Sequence, residues 1–212
     1  MSVVLHDYWR SSASYRVRIA LALKRVAYTR IDVPLLKDAQ RAPANMAVNA
    51  QGFVPTLEID GQVLTQSLAI IDYLDATRPD PPLLPRDPGA RSAVLARALV
   101  IAADIHPINN LRVLRYLKDE LGAGQAARDA WYRHWMAQGL AALEAMCVGR
   151  GGPFLGGAAP DLADICLIPQ LYNARRLDLP LDDYPALLAA DSAAAAHPAF
   201  IAAHPESVQT HA

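Results

Sequence analysis

A cluster of hydroxyl residues lies between an apolar run and a helix-forming run near the start of the chain. Ser11, Ser12 and Ser14 follow the apolar run 3–5, which is typical of a strand, and precede apolar residues at helical spacing within 17–23. Serine at a helix start accepts hydrogen bonds from N–H groups that the helix leaves unpaired. A hydroxyl that is not used in this way can donate to an anion at the positive end of the helix. The stretch therefore predicts a strand, a tight connection and a helix whose first turn binds an anion.

A second alternating run follows this helix. Residues 28–34 alternate between apolar and polar side chains, which predicts another strand. Two parallel strands joined through a helix form a β–α–β unit with a right-handed crossover. A polar segment at 35–50 then interrupts the pattern, and residues 49–52 mark a turn.

A hairpin and a helix come next. The apolar pairs within 56–59 and 63–64 flank Asp60-Gly61, which is a strong hairpin signal. Residues 66–74 have helical periodicity, with Ser67 as the predicted N-cap. The order β–α–β followed by β–β–α is the thioredoxin-like arrangement, so we predict an α/β fold for the first third of the chain.

Val54-Pro55 stands just before the first strand of this hairpin. Proline cannot donate a hydrogen bond to a sheet, so it belongs at a strand start or edge. Two geometries are open at this point. The bond is trans in an ordinary loop, or it is cis and turns the N–H and C=O of Val54 toward an extended peptide.

The composition changes after the first third. Five prolines between Pro79 and Pro88 predict a stiff linker, and no later segment has the pattern of a strand. We predict an α/β domain at 1–80, a linker at 81–89 and an all-helical domain at 90–212.

Three long helices are predicted in the second domain. The first spans 92–121 and contains Pro107, and a proline inside a helix costs about 3 kcal/mol or kinks the helix. The second spans 126–148. The third begins at Asp161, a good N-cap, and runs to Arg176, with Asp164 placed to reach back as in a capping box. A kink at the proline is expected to lie beside a functional cleft.

Charge, hydropathy and cysteine content exclude several functions. The 212 residues carry a net charge of −1, which gives no field for nucleic acid, and no apolar run approaches the roughly 20 residues of a membrane span. The first residues lack the basic start and apolar block of a signal peptide. Cys147 and Cys166 lie in apolar helical contexts without metal-ligand spacing. We therefore expect a cytoplasmic protein with buried cysteines, no metal site, and neither nucleic acid nor membrane as a partner.

Blocks spread across the whole chain resemble the glutathione transferase family, and within it the zeta class. Residues 10–21, with the order Arg-Ser-Ser-Ala-Ser-Tyr-Arg-Val-Arg-Ile-Ala-Leu, are similar to the zeta-class signature Ser-Ser-Cys-Ser-x-Arg-Val-Arg-Ile-Ala-Leu. The resemblance implies the glutathione transferase fold, a thioredoxin-like domain followed by an all-helical domain. The other similar blocks are 54–57, 66–71, 104–112, 162–164 and 169–170.

The chain departs from the zeta-class pattern at two positions. Ala13 stands where the class usually has a cysteine, which argues against a role for a protein thiol in the site. Asp161 stands where a serine or threonine usually caps the third long helix, and it is a chemically sound replacement.

The resemblance implies glutathione as a cofactor that is held as a thiolate. A thiol pKa of about 8.5 must fall by two units for the thiolate to dominate at neutral pH, which requires about 2.7 kcal/mol. A helix N-terminus supplies at most about 2 kcal/mol, and a hydroxyl of Ser11 or Ser12 can supply the remainder. Ser14 is a further candidate contact, with capping or packing as its alternative role. The other contacts implied for glutathione are the Val54 backbone, Gln66 and Ser67 at the γ-glutamyl carboxylate, Gln40 at the glycine end, and Asp104, His106 and Asn110 from the helical domain.

The resemblance also implies the reaction. It points to isomerisation of maleylacetoacetate or maleylpyruvate to the fumaryl isomer, in tyrosine or other aromatic catabolism, through reversible thiolate addition to the cis double bond. Such a dicarboxylate-like keto acid needs cationic partners, and we expect Arg10, Arg112 and Arg176 to bind its carboxylates and the developing enolate. Arg10, Ser11 and Ser12 are the candidate catalytic residues. Arg175 competes with Arg176 for its role, and the arginines expected to be structural or peripheral are Arg16 and Arg18.

Two other functions fit the same sequence. A glutathione transferase that conjugates or dehalogenates small α-halo acids would use the same thiolate and arginines. A non-catalytic protein of the same fold would not need them. The family also implies a homodimer in which the first domain of one subunit lies against the helical domain of the other.

Overall fold

The computed structural model describes residues 2–209. The described residues divide into two compact units, one formed by 2–83 together with 196–209, and the other by Leu84–Ala195. The C-terminal residues therefore group with the first unit, whereas the sequence analysis assigns them to the helical domain. Within the described residues, no helix is long and apolar enough to cross a membrane.

A four-stranded sheet and three helices form most of the first unit. In chain order they are β1 (Val4–Asp7), α1 (Ser12–Leu23), β2 (Thr29–Asp32), α2 (Pro43–Val48), β3 (Thr56–Ile59), β4 (Gln62–Thr65) and α3 (Ser67–Thr77). The strand order is β2-β1-β3-β4, with β1 parallel to β2 and the other pairs antiparallel. The predicted thioredoxin-like order is confirmed, and the hairpin turns at Asp60-Gly61.

The polar segment between β2 and β3 is more regular than its sequence suggests. It forms two short 3-10 turns, Leu35–Lys37 and Ala39–Arg41, before α2. The side-chain amide of Asn45 donates to the Gln40 carbonyl at 2.9 Å and the Phe53 carbonyl at 3.3 Å. These bonds hold the segment in place. Its sequence has no apolar periodicity, which is why α2 was not predicted.

The second unit is helical throughout its regular elements. They are α4 (Pro88–Leu99), a π-helical segment (Val100–Ile105), α5 (His106–Ile108), α6 (Leu111–Asp119), α7 (Gln125–Cys147), α8 (Leu162–Arg176) and α9 (Pro185–Ala195). The predicted helices at 126–148 and 161–176 are confirmed. α4 begins inside the predicted linker, where Asp87 accepts from the Ala90 N–H and Pro88 occupies the first helical position, a favourable site for proline.

The prediction of one continuous helix over 92–121 is wrong. The helical path ends at Ile108, and α6 starts anew after Asn110, whose side-chain oxygen accepts from the Arg112 N–H at 3.1 Å. Pro107 lies in the first turn of α5, directly after the π-helical segment. Asn110 was therefore the boundary signal in the sequence, because asparagine is a strong N-cap.

A capping box begins α8, as predicted. Asp161 accepts from the Ala163 N–H at 2.7 Å, and Asp164 accepts in return from the Asp161 N–H at 2.9 Å. The fully buried Asp164 also accepts from the N–H groups of Leu155 and Gly156, at 2.8 and 3.1 Å. One carboxylate thus fixes both the helix start and the loop before it.

Two short helices near the C-terminus return to the first unit. They are α10 (Pro198–Ala203) and α11 (Pro205–Val208), and α10 packs against α1. The fully buried Arg18 of α1 donates from Nε to the Ala203 carbonyl at 3.0 Å. The structural role expected for Arg18 is confirmed.

Arg18 also forms a buried ion pair with β1. Its Nη1 lies 2.8 Å from Asp7 Oδ1 and 3.0 Å from Oδ2, and its Nη2 donates to the Trp9 carbonyl at 2.8 Å. Burial raises the pKa of Asp7, and the guanidinium groups of Arg18 and Arg30 oppose that rise. This network ties the strand, the connection after it and α10 to one helix.

The two cysteines are free and buried, in agreement with the prediction. Cys147 ends α7 and Cys166 lies in α8. Burial raises the pKa of the Cys147 thiol to about 11, so this thiol is unreactive at neutral pH.

We expect Asp7→Asn to lower the free energy of unfolding by about 3–5 kcal/mol, because it leaves the Arg18 charge buried without its partner. Urea denaturation measures the change. Asp60→Asn is the matched control, since Asp60 pairs with Arg78 at the surface and should lose less than about 1 kcal/mol. Equal losses in the two variants would contradict the importance assigned to the buried pair.

We expect Asp164→Ala to lower the free energy of unfolding by about 3 kcal/mol, because three backbone N–H groups lose their acceptor, two of them in buried hydrogen bonds. The exposed Asp119→Ala should change it by less than about 0.5 kcal/mol. Chemical denaturation followed by circular dichroism compares the two. A loss at Asp164 no greater than at Asp119 would show that the capping box does not hold the loop.

Candidate functional site

The first turn of α1 presents a hydroxyl at its positive end. Ser11 is the N-cap, and its Oγ accepts from the Ser14 N–H at 3.3 Å. A serine hydroxyl that accepts this bond still has its proton to donate. Ser11 is half-buried, whereas Ser12 is 7% exposed and Ser14 has no exposed surface. Ser11 is thus the accessible donor of the three, and the burial of Ser14 suits its alternative role in packing.

The electrostatic surroundings of this helix start favour an anion. The first turn of α1 carries no acidic side chain. Arg10, half-buried, lies with its guanidinium carbon 5.4 Å from the centroid of the Trp9 ring, and no described carboxylate pairs with it. The cation and the helix dipole therefore act in the same direction.

The open question at Val54-Pro55 is settled by the backbone, because the peptide bond is cis. Val54 packs in an apolar cluster with Tyr8 and Val33, against which Trp9 also lies. This places Val54 beside the connection that leads into α1. No hydrogen bond of the Val54 N–H or C=O is recorded within residues 2–209.

The start of α3 lacks a side-chain cap. Ser67 is its first residue rather than its N-cap, so that prediction was wrong; the N-cap is Gln66, which has φ +67° and makes no capping bond. The Gln66 amide instead donates to Gln51 Oε1 at 2.6 Å. The N-cap side chain thus leaves the backbone N–H groups of this turn available to bind an anion.

A buried arginine joins the two helix starts. Arg16 of α1 is 2% exposed, and its Nη1 donates to Ser67 Oγ at 3.3 Å. Arg16 is expected from the sequence to be structural or peripheral, and this contact with Ser67 is not predicted there. The only sequence signal for this contact is the position of Arg16, one helical turn after the serine cluster.

Gln40 lies in the second 3-10 turn and is 8% exposed. Its Nε2 donates to Asp38 Oδ1 at 3.0 Å, while its Oε1 is buried without a hydrogen-bond partner among the described residues. An unsatisfied buried acceptor is unfavourable, so a ligand N–H there would stabilise it.

The helical unit carries the other candidate contacts with glutathione. Asp104 is exposed at the end of the π-helical segment, and His106 is half-buried at the start of α5. Asn110 uses its side-chain oxygen to cap α6. A Cβ on Gly139 of α7 would lie 2.3 Å from Ile105 Cγ1, so the glycine allows α7 to approach this segment closely.

The arginines of the helical unit differ in their partners. Arg175 forms an ion pair with Asp191. Arg176 is exposed at the end of α8, 6.0 Å from the Tyr172 ring centroid, and donates to Asn173 Oδ1 at 3.4 Å. Arg112 is exposed in the first turn of α6. The Asp191 ion pair favours Arg176 over Arg175 as the arginine that meets a substrate.

Within the first unit, these features suit an extended peptide with two anionic groups. One helix start offers a hydroxyl and a nearby cation, and the other offers open N–H groups and the Ser67 hydroxyl. The cis bond and Val54 supply strand-like backbone groups. Such an arrangement can stabilise a thiolate at one end and a carboxylate at the other.

Comparison with known proteins agrees with this geometry. The family profile of the glutathione S-transferase N-terminal domain matches residues 10–77, and that of the C-terminal domain matches residues 125–190. A maleylacetoacetate isomerase from Rhizobium meliloti (strain 1021) is 50% identical over 96% of this chain and 96% of its own.

Two solved structures are similar over almost the full length. A holo maleylpyruvate isomerase, described as a bacterial zeta-class glutathione S-transferase, has a TM-score of 0.96 at 42% identity and covers 99% of this chain and 100% of its own. A maleylacetoacetate isomerase from Methylobacterium extorquens AM1, with bound malonate and glutathione, has a TM-score of 0.93 at 37% identity and covers 99% of both chains. The chain therefore belongs to the glutathione transferase family, in its zeta class.

Proposed function

We propose that the chain is a glutathione-dependent cis–trans isomerase that converts maleylacetoacetate or maleylpyruvate to the fumaryl isomer in aromatic catabolism. The observation that carries the proposal is the start of α1, where Ser11 caps the helix and retains a proton to donate. The relatives that share this fold at 37–50% identity are named for these two substrates.

The residues present fit glutathione as the cofactor. The α-carboxylate of the γ-glutamyl unit suits the N-terminus of α3, which has no side-chain cap. The backbone of Val54 suits the cysteinyl unit, and the orphaned Gln40 Oε1 suits a peptide N–H toward the glycine end. Gln66 and Ser67 are assigned to the contact with the γ-glutamyl α-carboxylate.

Bound glutathione would supply a thiolate whose addition turns the cis double bond into a single bond that can rotate, and whose departure restores the double bond in the trans form. Ser11 would donate its hydroxyl as a hydrogen bond to that sulfur, and Ser12, the first residue of α1, is the second candidate donor. Lowering a thiol pKa by two units takes about 2.7 kcal/mol, which the helix N-terminus and one hydroxyl together can supply. Arg10 stabilises the negative charge that develops on the substrate.

The substrate's carboxylates need cationic partners, and Arg10, Arg112 and Arg176 are assigned to them. Guanidinium groups bind carboxylates with two parallel hydrogen bonds, which orient the substrate as well as stabilise its complex. Asp104, His106 and Asn110 are assigned to glutathione from the helical unit. For Asn110, this leaves the side-chain amide N–H₂ as the group that binds, since its oxygen caps α6.

The protein is assigned to the cytoplasm as a homodimer. Two free buried cysteines and a thiol cofactor suit a reducing compartment, and the family to which the chain belongs supports the dimer. Light scattering at several concentrations tests the assembly, with twice the chain mass as the expected result.

The deciding experiment follows purified protein with freshly generated maleylpyruvate and maleylacetoacetate, with and without glutathione, by the absorbance of the cis and trans forms. The proposal expects isomerisation that depends on glutathione without consuming it. The ratio of the two rates then identifies the preferred acid. If both acids stay cis while an α-halo acid loses halide, the protein is a dehalogenating or conjugating transferase instead.

We expect Ser11→Gly to lower kcat at neutral pH about 3–25-fold, because loss of a hydrogen bond of about 1.5–3 kcal/mol raises the pKa of the bound thiol and lowers its thiolate fraction. Glycine is a tolerated N-cap, so the free energy of unfolding should fall by only a few tenths of a kcal/mol. Steady-state kinetics and urea denaturation measure the two effects. Ser92→Ala, an exposed serine in α4, is the control; full activity in Ser11→Gly would refute the assignment of Ser11.

We expect Arg176→Met to raise KM for the acid substrate at least about tenfold, since a hydrogen-bonded charge contributes about 1.5–3 kcal/mol. Arg175→Met should leave KM unchanged, because that arginine pairs with Asp191. Initial-rate measurements at saturating glutathione separate the two. A larger effect at Arg175 would reverse the assignment.

A further inference from the structure

Arg16 is a buried cation that the proposed chemistry does not use. Its side chain leaves α1 and reaches the first residue of α3, where Nη1 lies 3.3 Å from Ser67 Oγ. The arginine is 2% exposed and Ser67 is 6% exposed, so the contact is shielded from solvent. Because both partners are shielded from water, this hydrogen bond decides which groups the Ser67 hydroxyl can still donate to.

The direction of this bond follows from the chemistry of its partners. A guanidinium group has only donors, so Ser67 Oγ must accept. The Ser67 proton therefore points away from Arg16. Accepting a bond from a charged group also polarises the hydroxyl and strengthens it as a donor.

The Ser67 hydroxyl lies at a helix start that is open to an anion. Gln66, with φ +67°, makes no capping bond, so the first-turn N–H groups of α3 receive no hydrogen bond from the N-cap side chain. The hydroxyl and these N–H groups belong to the same turn. A carboxylate bound at this turn can accept from both the backbone and Ser67.

We infer that Arg16 is a positioning residue for the γ-glutamyl carboxylate of glutathione, acting through the Ser67 hydroxyl that it orients. The inference rests on the proposed function, because it concerns the cofactor assigned there. It makes Arg16 a determinant of recognition at the carboxylate, with no part in stabilising the thiolate at the start of α1.

The test measures binding of three peptides by calorimetry to the full-length protein. They are glutathione, glutaryl-cysteinylglycine, which lacks the α-amino group, and butanoyl-cysteinylglycine, which lacks both the α-amino group and the α-carboxylate. We expect Arg16→Met to weaken the binding of glutathione and of glutaryl-cysteinylglycine about tenfold, because a charge-assisted hydrogen bond is lost. Binding of butanoyl-cysteinylglycine should match that of the unaltered protein.

A double-variant cycle tests whether Arg16 acts through Ser67. Arg16→Met in a Ser67→Ala background should weaken glutathione no further than Ser67→Ala alone. If Arg16→Met does not fold, Arg16→Lys carries the same comparison, with a smaller but equally selective loss. The thiol pKa of bound glutathione should stay unchanged in every folded Arg16 variant.

Two results would overturn the inference. Equal weakening of all three peptides would mean that Arg16 only supports the fold, and no weakening would mean that it does not position Ser67. Failure of the unaltered protein to bind any of the three peptides is a different result, which would overturn the proposed function itself.

Discussion

The buried contact between Asp7 and Arg18 is the interaction on which the first unit depends. Arg18 donates to the Asp7 carboxylate, to the Trp9 carbonyl and to the Ala203 carbonyl, so one guanidinium joins β1, the connection after it and α10. Burying two charges costs desolvation free energy, and such a pair gives little net stability over an apolar one. Its effect is instead to fix one arrangement of the segment that leads into Arg10 and Ser11.

That fixed segment explains how a weak electrostatic effect becomes useful. A helix N-terminus stabilises an anion by at most about 2 kcal/mol, and only when the geometry is held. Here the Trp9 carbonyl is held by Arg18, and Ser11 is held by its bond from the Ser14 N–H. The Ser11 oxygen is therefore held at the helix start before any ligand arrives, with its proton available to donate, and a donor held in advance limits the reorganisation that stabilising a charge requires. The start of α3 repeats this arrangement, with Arg16 and Ser67 in place of the local cap.

Features with a local chemical cause could be predicted from the sequence. The Asp60-Gly61 hairpin, the Asp161–Asp164 capping box and the cap at the serine cluster each depend on residues within a few positions of one another. The same reasoning failed where a distant partner decides the outcome. Arg16 meets Ser67 across 51 positions, and Arg18 meets Ala203 across 185. The missed break at Asn110 has another origin, since apolar periodicity outweighed a local boundary signal. The misplaced cap at Ser67 came from the capping preference of serine itself, because the residue type of Gln66 does not indicate its φ of +67°. The cofactor contacts assigned to Gln40, Asp104, His106 and Asn110 stay predictions.

The central claim is that this protein lowers the pKa of the glutathione thiol with a helix start and a serine hydroxyl. Ultraviolet titration of the thiolate in the glutathione complex, across the pH range in which the fold is intact, measures that pKa directly. The account predicts a value of about 6.5, two units below that of a free thiol. A bound thiol that titrates at about 8.5, as in water, would contradict the account even if glutathione binds tightly.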